Sequence, residues 1–143
     1  MKIVFVCTGN TCRSPMAEGI AKTYLPQHDI VSRGIMAQAG APVASHTQQL
    51  LETHQHPVSA GATPFTNEDA QADLILTMTS GHAQHIRMLY GAETPVSTLS
   101  DYVGESLEVS DPYGGSYEVY EATFKQLTRL VQQLQRKLGT ELV

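Results

Sequence analysis

Cys7 and Arg13 are separated by five residues in the segment Cys7-Thr8-Gly9-Asn10-Thr11-Cys12-Arg13-Ser14. A loop of that length between a strand and a helix lets the backbone curl until successive N–H groups point inward, making a nest for a tetrahedral anion. Ser14-Pro15 reads as a helix start, with Ser at the N-cap and Pro at the first helical position. The positive end of that helix would then face the same anion. Gly9 and Asn10 are residue types that tolerate unusual backbone angles. Cys7 would lie on the floor of the cradle. The inward N–H groups, the helix terminus, Arg13 and the Ser14 hydroxyl all favour negative charge on its sulfur. A thiolate so held can attack phosphorus in line and form a phosphocysteine. Arg13 can hold two phosphate oxygens bidentately, which Lys does less well. The ATP-type phosphate loop is excluded, because that loop ends in Gly-Lys-Ser/Thr. The alternative is that Cys7 is a buried structural thiol, since free Cys is often buried. The strand before it, the Gly and Asn within the loop and the Ser-Pro after it favour the reactive reading.

Such a loop needs a strand to launch it and a helix to receive it. Ile3, Val4, Phe5 and Val6 form a short apolar run, so residues 2–7 are predicted as a buried strand. Ala17, Ile20, Ala21 and Tyr24 repeat at helical spacing, and Pro26 ends that helix. A second short strand is expected over 29–33, a loop over 34–45 and a short helix over 48–54. Thr66 with Asp69 three residues later is a capping box that predicts another helix. A third strand is expected over 74–79, a helix over 80–90 ended by Gly91, and a fourth strand over 95–99. About a dozen residues of loop come next, and long loops of this kind are often functional. Tyr117, Tyr120, Phe124, Leu127, Val131, Leu134 and Leu138 share one face of a long final helix ended by Gly139. Strands alternating with helices predict an α/β fold with a parallel sheet covered on both faces. Ligands of open sheets bind beyond the carboxyl ends of the strands, where the Cys7 loop falls.

The bulk composition agrees with one ordinary domain over 1–143. With 41% hydrophobic and 16% charged residues, the chain is expected to be globular. A domain of this length buries about 70% of its unfolded-chain surface and needs no disulfide or metal to fold. A net charge of -5 points away from nucleic-acid and membrane partners. Between Arg87 and Lys125 there is no Lys or Arg, while Glu93, Asp101, Glu105, Glu108, Asp111, Glu118 and Glu121 fall there. Such a run reads first as a solvated loop, and second as an acidic rim suited to a cationic substrate neighbourhood. Cys7 and Cys12 are the two cysteines, and their closeness in sequence is not a secreted disulfide framework. The apolar run from Ile3 to Cys7 is too short for a signal peptide or a membrane span. The expected location is the reducing cytoplasm, where a reactive thiol survives. His54 and His56 flank a turn, and His82 and His85 are three apart on a helix. Neither pair has a third ligand at metal-site spacing, so both read as packing or surface residues and no metal is expected.

The segment running from Val4 through Cys7, Thr8, Gly9, Asn10, Thr11, Cys12, Arg13, Ser14 and Pro15 to Glu18 resembles the signature of the low-molecular-weight protein phosphatases. The resemblance continues through Thr66-Asn67-Glu68-Asp69, through Ala72-Asp73-Leu74-Ile75-Leu76-Thr77-Met78 and through Asp111-Pro112-Tyr113-Gly114-Gly115, in the family's order. It implies a four-stranded parallel sheet with helices on both faces, the phosphate-binding loop after the first strand, and no cofactor. It also implies catalytic roles for Cys7, Arg13 and Asp111, and substrate contacts for Thr8, Gly9, Asn10, Thr11, Cys12, Ser14 and Tyr113. The residues alone do not separate Asp111 from Asp101 as the acid. The resemblance does, because the Asp of the family's Asp-Pro-aromatic motif protonates the leaving group. Such a carboxyl can then act as base toward the water that attacks phosphocysteine.

Two departures stand out. Members with a Ser–His pair beneath the loop place the His directly after a Ser, in the stretch matching Pro57-Val58-Ser59. Here Ala60 comes next, so that support is expected to be absent and the partners of Ser14 and Asn10 stay open. The acid motif also has Gly114 where relatives carry a second Tyr. A bacterial subgroup of the family removes phosphate from arginine side chains, and this chain resembles it at Thr11 and at Asp111-Pro112-Tyr113-Gly114-Gly115. Tyrosine-specific relatives commonly carry Ile at the first of these positions. The resemblance therefore favours phosphorylated proteins as partners, phosphoarginine before phosphotyrosine, with inorganic phosphate as product. Arsenate reduction by thiol relay needs Cys residues downstream, and there is none after Cys12. A non-catalytic phosphate-binding module would dispense with Cys7 and Asp111.

Overall fold

The computed structural model describes residues 1–141. The run Ile3-Val4-Phe5-Val6 lies in strand β1 (Lys2–Cys7), where all four side chains are fully buried. A strand apolar on both faces must be covered on both. Ile3, Phe5 and Cys7 face one cluster with Met16, Ile20, Leu50, Leu127 and Leu134. Val4 and Val6 face the other, with Ile75, Ala83 and Ile86. The alternation is the two-residue period of a pleated strand.

Helix α1 (Arg13–Tyr24) leaves the loop after β1 and leads to β2 (Asp29–Gly34) and α2 (Ser45–Thr53). Next come β3 (Leu74–Thr77), α3 (Ser80–Tyr90), β4 (Val96–Thr98), α4 (Leu99–Val103) and α5 (Tyr117–Glu141). The four strands lie in the order β2-β1-β3-β4, with every pair parallel. The expected four-stranded parallel sheet with helices on both faces is therefore what the chain forms. Helices α1, α2 and α5 supply the first cluster and α3 the second. Successive connections from β1 run outward in opposite directions, so a crevice opens between the carboxyl ends of β1 and β3.

Several local expectations are corrected. Thr66 and Asp69 do bond, with the Thr66 N–H donating to Asp69 Oδ2 at 2.9 Å, yet the chain then makes only a single 3-10 turn over Asp69–Gln71. The Asp69 carboxylate is also held by Arg33 Nε at 3.1 Å, and β3 begins at Leu74, which leaves no length for a helix. The fourth strand is shorter than expected because the Thr98 hydroxyl accepts the Asp101 N–H and starts α4, where the sequence predicts loop. Helix α5 runs through Gly139 to Glu141. A glycine ends a helix when the chain takes up a left-handed turn there; here Gly139 stays helical. Ser14 is not the N-cap of α1. Cys12 holds that position, and the Ser14 hydroxyl is engaged beneath the loop.

Candidate active site

The crevice at the strand ends is a cleft of ≈ 280 Å³ lined by Cys7, Thr8, Gly9, Thr11, Cys12, Arg13, Asp111 and Tyr113. The structure thus gathers eight of the ten expected site residues around one space, although Asp111 and Tyr113 are about a hundred positions from the loop. The side chains of the other two, Asn10 and Ser14, are buried beneath the loop. Asp101, the other candidate acid, lies in α4 and outside the cleft lining.

A chain of hydrogen bonds holds the loop from below, and its polarity can be worked out from one end. Glu18 is buried, and Ser32 donates its hydroxyl to Glu18 Oε1 at 2.6 Å. The Ser32 oxygen then accepts from Asn10 Nδ2 at 2.9 Å, and the second amide proton goes to Ser14 Oγ at 2.8 Å. Asn10 Oδ1 accepts the Thr63 N–H at 2.8 Å, which fixes the amide's orientation. Ser14 is left with its own proton and two candidate acceptors, Cys7 Sγ at 2.9 Å and Arg33 O at 3.4 Å. The shorter contact directs that proton at the sulfur. Asn10 takes a left-handed backbone, φ 57°, and so meets the expectation of an unusual angle. Gly9 does not: it lies outside the positive-φ residues, and a Cβ there would meet Thr11 Oγ1 at an ordinary 3.7 Å. The glycine the loop requires is Gly34 at the end of β2, where a Cβ would lie 2.7 Å from Thr8 O and 2.9 Å from Asn10 N.

Arg13 bridges the cradle to the acid-bearing loop. Its guanidinium is buried, donates from Nη1 to Val109 O at 3.2 Å and places Nη2 3.7 Å from Asp111 Oδ2. Asp111 is 59% exposed, and its Oδ1 accepts the Tyr113 N–H at 3.0 Å, so the carboxylate is held in a tight turn over the cleft. The preceding residues are pinned. Val109 N–H donates to Met78 O, Ser110 N–H donates to Gln126 Oε1, and Gln126 Nε2 donates to Glu108 O.

Four contributors escape a reading of the sequence. Ser32 and Glu18 carry the support beneath the loop. Tyr120 places its hydroxyl 3.4 Å from Cys12 Sγ, and burial, then that contact, raises its phenol well above the usual range. His82 Nε2 lies 2.9 Å from Thr8 Oγ1; burial first and the Arg13 charge second push its pKa down to about 4, so the ring is neutral. Ser32 and Glu18 do carry a signal, being polar residues on the interior sides of a strand and of a helix. His82 and Tyr120 carry none, because their partners come from distant elements. His54 stacks on Phe124 with ring centroids 4.7 Å apart, and His56 Nδ1 lies 2.8 Å from the Thr23 hydroxyl. No helix among the described residues is long and apolar enough to cross a membrane.

A family model described as low molecular weight phosphotyrosine protein phosphatase matches residues 2–143. The low molecular weight protein-tyrosine-phosphatase PtpB of Staphylococcus epidermidis is 44% identical over 137 residues, which span 96% of this chain and 99% of that protein. The YwlE arginine phosphatase of Geobacillus stearothermophilus superposes with a TM-score of 0.92 at 35% identity, covering 98% of this chain and 94% of its own. A YwlE arginine phosphatase mutant with a phosphorylated active-site serine superposes with a TM-score of 0.92 at 36% identity, covering 97% of this chain and 96% of its own.

Proposed function

The chain belongs to the low-molecular-weight phosphotyrosine protein phosphatase family, and from that premise we propose that it hydrolyses protein phosphoarginine in preference to phosphotyrosine, through a phosphocysteine on Cys7. At the coarser level it is a cysteine-dependent protein phosphatase. In the proposed cycle Arg13 and the loop N–H groups hold the phosphoryl oxygens. The Cys7 sulfur attacks phosphorus, an S–P bond forms, and the P–N bond to the guanidine breaks. Asp111 delivers a proton to the departing nitrogen. Water then attacks phosphorus, Asp111 takes its proton, and inorganic phosphate leaves as the Cys7 thiolate returns. Thr8, Gly9, Thr11 and Cys12 wall the bound phosphoryl group, and Tyr113 flanks the mouth. The whole chain acts as one domain, its substrates are phosphorylated proteins, and its setting is the cytoplasm.

The observation that carries the substrate choice is Thr11 on the cleft wall. Among the described residues its hydroxyl has one weak partner, Cys12 Sγ at 3.8 Å, and so keeps acceptor capacity for a substrate. A phosphorylated guanidine is planar and rich in N–H donors, and leaving one unpaired in a desolvated cleft costs about 1–3 kcal/mol. A phenol ring brings no such donors beside the phosphate. The similarity to the YwlE proteins, which are named arginine phosphatases, supports this reading. The competing reading, phosphotyrosine, draws on the name of the PtpB relative and on Tyr113, an aromatic 80% exposed at the mouth where a phenol ring could pack. The test is kcat/KM on matched peptides carrying phosphoarginine or phosphotyrosine. The reading expects the phosphoarginine peptide to be the better substrate; a clear preference for phosphotyrosine rejects it and leaves the phosphatase assignment untouched.

A further inference from the structure

We infer that His82 is a positioning residue that turns the Thr8 hydroxyl into a hydrogen-bond donor aimed at the bound phosphoryl group. Thr8 is the first residue after β1, and His82 lies in the first turn of α3, just after β3. The pair therefore joins the carboxyl ends of the neighbouring strands β1 and β3, and Thr8 lines the cleft there. His82 Nε2 sits 2.9 Å from Thr8 Oγ1, and the ring is buried. Among the described residues, the buried Nδ1 has no hydrogen-bond partner.

A neutral imidazole carries one proton, on one nitrogen or the other. The ring is held neutral by burial, by Arg13 and by His85, against the opposite pull of Glu108 and Asp111. If the proton were on Nδ1, a buried N–H would be left without an acceptor, an arrangement rare in folded proteins. With the proton on Nε2 the ring donates to Thr8 Oγ1, and the bare Nδ1 lone pair is the smaller loss. The Thr8 hydroxyl then cannot point its own proton at the ring. It turns the proton to its other side, into the space that it lines together with Cys7 and Arg13. A phosphoryl oxygen bound there gains a donor from a side chain, besides the loop N–H groups and Arg13. His82 touches no reacting atom itself and acts through Thr8.

The inference rests on phosphate binding at the Cys7 cradle and not on phosphoarginine as substrate, so inorganic phosphate separates the two. Its inhibition constant is measured against an aryl phosphate for Thr8→Val, His82→Phe, the double variant and His82→Gln. A hydrogen bond to a charged group corresponds to roughly tenfold or more, so each single change is expected to weaken phosphate about tenfold. His82→Phe should add nothing in the Thr8→Val background, because the donor is already gone. His82→Gln, whose amide can donate from nearly the same place, should recover most of the loss. Additive losses, or no rescue by Gln, overturn the inference even if phosphoarginine is the substrate. Wild-type protein that fails to bind phosphate overturns the inference and the phosphatase reading together. If His82→Phe does not fold, nitrogen NMR of the wild-type ring decides: a proton on Nε2 supports the inference, and a proton on Nδ1 overturns it.

Discussion

The cradle over residues 7–14 and the loop that carries Asp111 face each other across one cleft, yet they are held in opposite ways. Beneath the cradle, Ser14, Asn10, Ser32 and Glu18 form an interior hydrogen-bonded line, and each side chain is at least nine-tenths buried. Across the cleft, Asp111 is 59% exposed and Tyr113 80% exposed, and the loop behind them is tied down through backbone groups to Gln126 and Met78. The phosphoryl group is common to every substrate, and the groups that meet it can be preset in a dry interior. The leaving group varies, and Asp111, the acid in the proposed cycle, stands where solvent and a protein substrate can reach it. Damage to the groups that grip the phosphoryl oxygens, Cys7 and Arg13, should therefore affect all substrates alike, whereas damage to the far wall, or to Thr11 where the cradle's edge lines the cleft, should discriminate among them.

The largest effect is expected at the cradle floor. Cys7→Ser should abolish turnover on every substrate while leaving oxyanion binding largely intact, because the nest is mostly backbone; Arg13→Lys should also be severely impaired, since the bidentate geometry goes. Steady-state rates with phosphate or vanadate titrations check both, and near wild-type turnover by Cys7→Ser would remove the mechanism. Next comes Asp111→Asn. It should slow phosphoarginine hydrolysis by roughly 10²–10⁴-fold, the worth of general-acid help where it is needed. Thr11→Ile should have a smaller effect, lowering kcat/KM for phosphoarginine peptides about tenfold, equivalent to ~1.4 kcal/mol. Activity on phosphotyrosine peptides should hold or rise, and an unchanged ratio of the two would free Thr11 of any part in selectivity. Cys12→Ser should change the steady rate least. Its effect should show under peroxide, because oxidation of Cys7 to sulfenic acid is reversible when a neighbouring thiol captures it. Both cysteines are free in the structure, with Cys12 resting against Tyr120. Wild type should regain activity with reductant and Cys12→Ser should not; equal recovery would exclude Cys12 as the capturing thiol.

The two walls are not equally legible in the sequence. The cradle is one continuous segment, so strand, turn and helix can be read from adjacent residues. The run Ile3 to Val6 and the spacing of Cys7 and Arg13 suffice to place an anion nest at a strand end. Asp111 cannot be reached that way. Nothing local sets it above Asp101, and it is the family resemblance that separates them. The supporting line is half legible: Ser14 looks like a helix cap, because the same hydroxyl that can cap a helix can instead serve a sulfur one loop away. The choice between those two partners is made by tertiary packing. Helix α4 escapes because five residues, Leu99–Val103, are too few to show a period. The Thr66–Asp69 motif misleads for the opposite reason: its return bond, from the Thr66 N–H to Asp69, forms, and the chain length before β3 leaves room for only a single 3-10 turn.

The separation of duties between the two walls is tested most directly by a series of aryl phosphates whose phenols differ in acidity. The logarithm of kcat/KM is plotted against leaving-group pKa for wild type and for Asp111→Asn. A proton delivered by Asp111 makes wild type nearly insensitive to the leaving group, so its plot should be shallow. Without that proton the plot should steepen, with the most acidic phenols losing little and the most basic losing most. Two parallel lines, displaced but equal in slope, would show that Asp111 serves every substrate alike, and would contradict the account.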